Sequence, residues 1–344
     1  MAQKNWKPAW KRYTKNSCRS PPRHSGHDTG PSHGSVSSAA AKLLAHPIES
    51  PRPAVSELSV IIPVKNGMPY LPRTISSTLR AMPRDAELLV MDDGSTDGTA
   101  GYLSSVRDKR LKVFRNDESV GVANAATALL GHAEGKFVAR MDGDDICLPW
   151  RFAAQRRSLG DADLLFSGAL FVNGQGKPFP PTFQPGISPA AMPIHLLMTN
   201  VLMNPTMYGR RTVLEGLGGY QKTPTEDYDL WLRAAASGAR MKRMAYVPTI
   251  VYRRHATQLS QARAWATENG DTILSASFRA LASQQLGFQG SASTILYNRP
   301  MAGQPYPEDP DITDFAHLVL EAAGRLGEKD RKGVEDRLRS MYRL

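Results

Sequence analysis

From Leu58 onward, short apolar runs alternate with stretches of helical length. The runs are Leu58–Val64, Glu87–Met91, Leu111–Phe114, Lys136–Met141 and Leu164–Val172, and their starts lie 29, 24, 25 and 28 residues apart. Between them fall Leu71–Ala81, Thr99–Val106, Val122–His132 and Trp150–Leu159. Buried-type strands alternating with helices at this spacing predict βαβ units and an α/β fold on a parallel sheet. Ligands of such sheets sit beyond the carboxyl ends of the strands. The residues that follow each run are therefore the candidates for chemistry.

Three of those followers are polar or acidic. Pro63-Val64-Lys65-Asn66-Gly67 closes the first run, Asp92-Asp93-Gly94-Ser95-Thr96-Asp97-Gly98-Thr99 the second, and Asp142-Gly143-Asp144-Asp145 the fourth. They converge on one edge of the predicted sheet.

Composition divides the chain of 344 residues into three parts. Hydrophobic residues make up 41% and charged residues 22%, enough to bury a core. Residues 1–56 lack apolar periodicity and are expected to be a disordered basic arm. Up to residue 57 there are nine Lys/Arg against three acids, so this segment carries +6 of the net +11. The rest is only mildly basic, and no nucleic-acid-binding motif accompanies the charge, which argues against a nucleic-acid partner. Trp6 and Trp10 beside Lys7 and Lys11 would suit contact with an anionic membrane surface, although a plain solubilising tail or a wrongly assigned start codon reads at least as well, and the Arg- and Ser-rich, acid-poor composition is also like that of an organellar transit peptide. Residues 57–260 form the expected catalytic domain. Residues 261–344 carry no motif; Ala- and Leu-rich stretches at 262–286 and 313–341 predict a helical C-terminal extension. Two cysteines, no apolar run of membrane-spanning length and no signal peptide point to a cytoplasmic location, with peripheral contact at the inner membrane face through the arm.

Crowding three carboxylates into Asp142–Asp145 raises a repulsion that a divalent cation relieves, and Mg²⁺ or Mn²⁺ typically takes one or two carboxylates plus substrate phosphates. A solvated acidic turn is the plain alternative. At a strand end the metal is the better reading. The Asp92–Thr99 turn opens a helix and offers carboxylates to a ribose or base, while also serving as an ordinary strand–helix turn. Thr225-Glu226-Asp227-Tyr228-Asp229 reads as a helix start whose acids either complement the helix dipole or include a general base. No GxGxxG follows the first run and no GxxxxGK[ST] occurs, against a dinucleotide dehydrogenase or a P-loop enzyme.

The ordered strings LSVIIPVKNG, LLVMDDGSTDGT, GKFVARMDGDDICLPWR, LGGY and TEDYDLWLRAA resemble the family 2 glycosyltransferases over about Leu58 to Ser260. The resemblance implies the GT-A nucleotide-diphospho-sugar transferase fold, a mostly parallel sheet flanked by helices. It implies that Pro63, Val64, Lys65, Asn66 and Asp93 hold the nucleotide, commonly UDP, and that Asp142 and Asp144 hold Mn²⁺ or Mg²⁺ and the diphosphate. Asp227 is then the base that deprotonates the acceptor, with Glu226 in support, and His255 in the YRRH stretch a diphosphate or acceptor contact. The expected activity is a metal-dependent, inverting, single addition from a nucleotide-sugar to a saccharide or lipid-linked acceptor in surface polysaccharide synthesis. The chain lacks the Q/RxxRW signature of processive synthases. It has Thr127 where the family often has Asn, and Asn204-Pro205-Thr206 where it often has His-Pro-Thr. A nucleotidyltransferase would need a basic glycine-rich loop that PVKNG does not supply, and a non-catalytic sugar-nucleotide scaffold would not need the intact acidic motifs.

Overall fold

The structure is a computed structural model describing residues 56–180, 182, 184–256, 258, 272–297 and 308–342. The basic arm, with Trp6 and Trp10, lies outside the described residues. Strands β1 (Leu58–Val64) and β2 (Glu87–Asp93) are buried at every position, as strands covered on both faces must be. Their side chains alternate between two cores: Ile61 and Leu89 enter one, while Val60, Ile62, Leu88 and Val90 enter the other. Helix α1 (Leu71–Ala81) follows β1, and α2 (Thr99–Ser105) follows β2. Then come β3 (Leu111–Asn116), α3 (Val122–Gly131), β4 (Phe137–Arg140), the short β5 (Ile146–Cys147), α4 (Arg151–Leu159) and β6 (Leu164–Asn173). Apart from β5, these elements stand where the apolar pattern puts them.

The second half is less regular. It runs through α5 (Met192–Met198), β7 (Tyr208–Arg210), α6 (Arg211–Gly216), α7 (Glu226–Ala236) and β8 (Met241–Arg254). The eight strands make one sheet in the order β3-β2-β1-β4-β7-β6-β8-β5. Pairs β1–β2, β2–β3, β1–β4 and β6–β8 are parallel, and β4–β7, β6–β7 and β5–β8 antiparallel. The sheet is mostly parallel, and β1, flanked by β2 and β4, brings their carboxyl-end loops side by side. Strand β8 has no counterpart in the apolar pattern. Its pairing with β6 skips near Gly168 and Pro248, and Tyr246 turns to φ 56°, an irregularity of the kind that admits proline into a sheet.

Helices α8 (Thr272–Leu286), α9 (Ala292–Tyr297), α10 (Pro310–Gly324) and α11 (Glu328–Tyr342) follow. The stretch expected as one helical region at 313–341 is broken between α10 and α11. The Phe315 ring of α10 lies 6.1 Å from Phe278 of α8 and 5.4 Å from Phe288. These aromatics share one core with Trp231, Leu230 and Leu232 of α7. At its polar edge Ser277 of α8 donates to Asp229 at 2.6 Å, and Arg233 closes the group on Asp229 at 2.9 Å. The described C-terminal helices therefore complete the face of the fold that carries α7.

Candidate active site

The first two loops are stitched to each other. Asn66, held at φ 52°, receives the Thr96 amide on Oδ1 at 2.9 Å, while its own N–H donates to Ser95 Oγ at 2.9 Å. Met68 N–H and Thr99 N–H share the Asp97 carboxylate at 3.0 and 2.9 Å, so Asp97 serves both the β1 loop and the start of α2. Pro63 and Val64 pair with Met91 and Asp92 inside the sheet, and Lys65 and Asn66 are the exposed members of the group. Val64 also explains Gly143: a Cβ there would lie 2.8 Å from the valine Cγ2. Thr74 of α1 ties in the third loop by donating to the carbonyls of Gly143 and Asp145 at 2.9 and 2.7 Å.

The two aspartates that end β2 behave differently. Both oxygens of Asp93 are occupied within the protein, by Asn116 Nδ2, Ser119 Oγ and the amides of Val120 and Gly121 at 2.7–2.9 Å. Burial pushes its carboxyl up, but these four donors outweigh it and hold it below the usual range. Asp93 thus clamps the turn between β3 and α3, and the geometry gives it no free oxygen to aim at a nucleotide. Asp92, one residue earlier, accepts from Ser95 N–H at 3.0 Å, and its buried Oδ2 lies 3.8 Å from Arg115 Nε.

In the acidic loop, Asp142 accepts from Arg140 Nε at 3.1 Å, and Asp144 lies 2.8 Å from His255 Nε2. Burial, then the neighbouring Asp142, push the Asp144 carboxyl up. Asp145 is fully buried, with one oxygen on Arg253 N–H at 2.9 Å, and structural. Among the described residues no three His, Cys, Asp or Glu side chains meet as a ready-made metal cage. Asp142 and Asp144 nonetheless fit a hard divalent ion. They are partly exposed oxygen donors whose mutual repulsion a cation relieves, and Mg²⁺ and Mn²⁺ commonly complete their shells with water and phosphate. His255 also rests on the Tyr70 ring, 4.9 Å between centroids, and Arg253 lies 4.6 Å from the same ring.

Glu226 and Asp227 open α7, within the field of Asp142. Thr225 holds the cap position without a side-chain cap bond; Asp227 Oδ1 instead accepts from Tyr228 N–H at 2.7 Å. Its Oδ2 accepts from Asn200 Nδ2 at 3.2 Å. Burial pushes the Asp227 carboxyl up against these two donors. Burial and Asp227 push Glu226 up to about 7. Arg140 links the halves: its side chain is 3% exposed, it pairs with Asp142, stacks 5.5 Å from the Tyr220 ring, and lies within the field of Glu226. Its Nη1 is buried without a hydrogen-bond partner.

The structure therefore groups Asp142, Asp144 and His255, brings Glu226 and Asp227 within the field of Asp142 and Arg140, and leaves Asp93 as a clamp. The motif reading does not mark Arg140, Asn200 or the Tyr70–Arg253 stack. Arg140 alone had a signal, a charge ending an otherwise apolar strand.

Comparison with known proteins follows the same lines. The family described as Glycosyl transferase family 2 matches residues 59–207. The putative glycosyltransferase EpsE of Bacillus subtilis is 31% identical over 195 residues, 54% of this chain and 68% of its own. The UDP-Glc:alpha-D-GlcNAc-diphosphoundecaprenol beta-1,3-glucosyltransferase WfaP of Escherichia coli is 26% identical over 205 residues, 59% and 79% of the two chains. An uncharacterized glycosyltransferase of Haemophilus influenzae is 38% identical over 94 residues, and the match spans only 29% of its length. Among solved structures, S. aureus TarS 1–349 in complex with UDP-GlcNAc superposes with a TM-score of 0.55 at 19% identity, covering 83% of this chain and 89% of that one. That likeness is one of fold.

Proposed function

With the premise that this chain belongs to glycosyl transferase family 2, we propose that it is an inverting transferase that moves one sugar from a UDP-sugar to a hydroxyl of a saccharide or lipid-linked acceptor in surface polysaccharide synthesis. The observation that carries this reading is that the Glu226–Asp227 pair lies within the field of Asp142, with Arg140 bonded to Asp142 and acting on Glu226 as well. The UDP-Glc named for the Escherichia coli relative and the UDP-GlcNAc in the TarS complex support the choice of donor.

In this reading Asp227 accepts the proton of the acceptor hydroxyl as its oxygen bonds to the anomeric carbon. The bond from that carbon to the diphosphate breaks in line, the electron pair leaves with the nucleoside diphosphate, and the configuration inverts. Asp142 and Asp144 would hold Mn²⁺ or Mg²⁺, which when bound would supply charge neutralisation at the diphosphate. Lys65 and Asn66 form the exposed lip of the nucleotide site, and Asp93 holds the neighbouring turn in shape. His255 orients Asp144 through their hydrogen bond.

Incubation with UDP-glucose, UDP-N-acetylglucosamine, UDP-galactose and GDP-mannose in Mn²⁺ tests the class. One UDP-sugar should raise the melting temperature and be slowly hydrolysed to UDP. Failure of every nucleotide-sugar to do either would overturn the reading. Among the described residues no helix is long and apolar enough to cross a membrane. Contact with anionic lipid through the basic arm belongs to the same proposal. Sedimentation with acidic vesicles should be lost on deleting residues 1–56 and weakened by salt.

A further inference from the structure

We infer that Asn200 is a positioning residue for the reaction: its amide locks the Asp227 carboxylate in one rotamer and helps keep it in the proton-accepting form. The inference rests on the reading of Asp227 as the base. The orientation of the Asn200 amide is decided by its surroundings, because its Oδ1 accepts from Leu202 N–H at 3.1 Å, which turns the NH₂ end toward Asp227. Asp227 is thus gripped at both oxygens, by its own helix through Tyr228 N–H and by the segment after α5 through Asn200. The two segments are pinned a second time by the Tyr228 hydroxyl, which donates to the Leu196 carbonyl of α5 at 2.5 Å. Rotation of the carboxylate would break both grips, so the lone pairs left over point in a fixed direction. A base held this way meets the acceptor hydroxyl without reorganisation.

A donor to a carboxylate also favours its ionised form. The groups that face Asp227 make that contribution matter. Glu226 on the same helix and Asp142 on the acidic loop are like charges, and Arg140 on β4 is the opposing one. Tyr220, in the loop before α7, is buried and stays neutral because burial pushes its hydroxyl far up. Asp229 is taken by Arg233 and Ser277, and His195 of α5 is bonded to Arg337. Asn200 is an uncharged side-chain donor, so it steadies the carboxylate without adding a competing ion.

The test is the pH profile of UDP-sugar hydrolysis with Mn²⁺, for the wild type, Asn200→Leu and Asn200→Asp. Leucine is close in size and cannot donate, so the acid limb of kcat/KM should move up by about one pH unit, with a roughly tenfold loss on that limb. UDP binding measured by calorimetry should be unchanged. Asn200→Asp is closer still in shape and sets a second carboxylate against Asp227, so its limb should move further; it carries the test if the leucine variant does not fold. A uniform fall in rate with the limb unmoved, or a lowered melting temperature alone, would overturn the role of Asn200. Asp227→Asn in parallel separates the two readings. Near wild-type turnover by Asp227→Asn overturns the base itself. An inactive Asp227→Asn beside unshifted Asn200 variants overturns only the inference about Asn200.

Discussion

The hydroxyl of Tyr220 donates to Asn204 Oδ1 at 2.9 Å, inside the protein and just ahead of the helix that carries Glu226 and Asp227. The backbone of Tyr220 is held as well, since its N–H donates to Thr127 Oγ1 at 2.9 Å and its carbonyl accepts from the same hydroxyl at 3.1 Å. The two positions at which this sequence departs from the usual family residues, 127 and 204, thus hold one tyrosine between them. Tyr220 in turn underlies the Arg140 guanidinium. The departures bear on the support of the acidic pair.

Tyr220→Phe removes the donor and leaves a buried acceptor on Asn204. Stability should fall by about 1–3 kcal/mol, read as a lower midpoint in chemical denaturation. Asn204→Ala should cost a similar amount, and the double variant less than the sum of the two, because the same bond is lost in each. Strict additivity would show that the bond is energetically silent.

Metal dependence is tested at Asp144. Excess EDTA should abolish UDP-sugar turnover, and Asp144→Ala should lower it by orders of magnitude while leaving the melting temperature of the free protein nearly unchanged. Full activity in EDTA would remove the ion from the mechanism.

Asp227→Asn and Asp93→Asn should fail in different ways. The first keeps the size and most hydrogen bonds but cannot take the proton, so turnover should drop about 10²–10⁴-fold with donor affinity preserved. The second turns an amide NH₂ toward donors that now have no acceptor. It should cost about 2–3 kcal/mol of stability and weaken nucleotide binding by loosening the turn between β3 and α3. A stable Asp93→Asn with intact binding would show that the clamp is dispensable.

Glu226, half-buried, and His195, buried, predict opposite responses to acid. Glu226, raised to about 7 from 4.5, holds its proton in the folded state across that window. Its contribution is present below pH 4.5 and is lost as pH rises toward 7. Glu226→Gln should therefore match the wild type at pH 4 and be about 1–2 kcal/mol more stable at pH 8. His195 is held down to about 3 by burial, then by Arg337 and Arg243. The unfolded chain takes up that proton from about pH 6.5 downward, so the histidine costs stability as pH falls, about 1 kcal/mol per unit. The two slopes offset one another between pH 4.5 and 6.5. Below 4.5 only the histidine term remains, and His195→Gln should shallow the acid limb of a denaturation series there. An unchanged limb would show that His195 charges freely in the folded state.

What could be read from the sequence follows burial. Strands β1 and β2 are inside on both faces, so every position had to be apolar or paired and the runs stood out. Strand β8 mixes buried and exposed positions, carries Lys242 and Arg243, and bends at Tyr246 and Pro248, so no period survives along it. The acidic loops were legible because they follow buried strands. The division of labour between Asp92 and Asp93 was not, since adjacent strand residues point to opposite faces and only the β3–α3 turn decides which one is captured. Asn200 was hidden for a related reason: its partner is 27 residues away and reached through the fold.

The stretch by which this chain is recognised ends at residue 207, yet α7 and its acidic pair come later, and the outer side of α7 is closed by helices that begin at Thr272. Recognition length and folding length are separate quantities here. A fragment cut after Ser260, where the motif strings end, would retain every residue assigned to the chemistry and expose Trp231 and its neighbours to water. Residues with no motif of their own thereby set the smallest piece of this chain that can hold its acid pair in place.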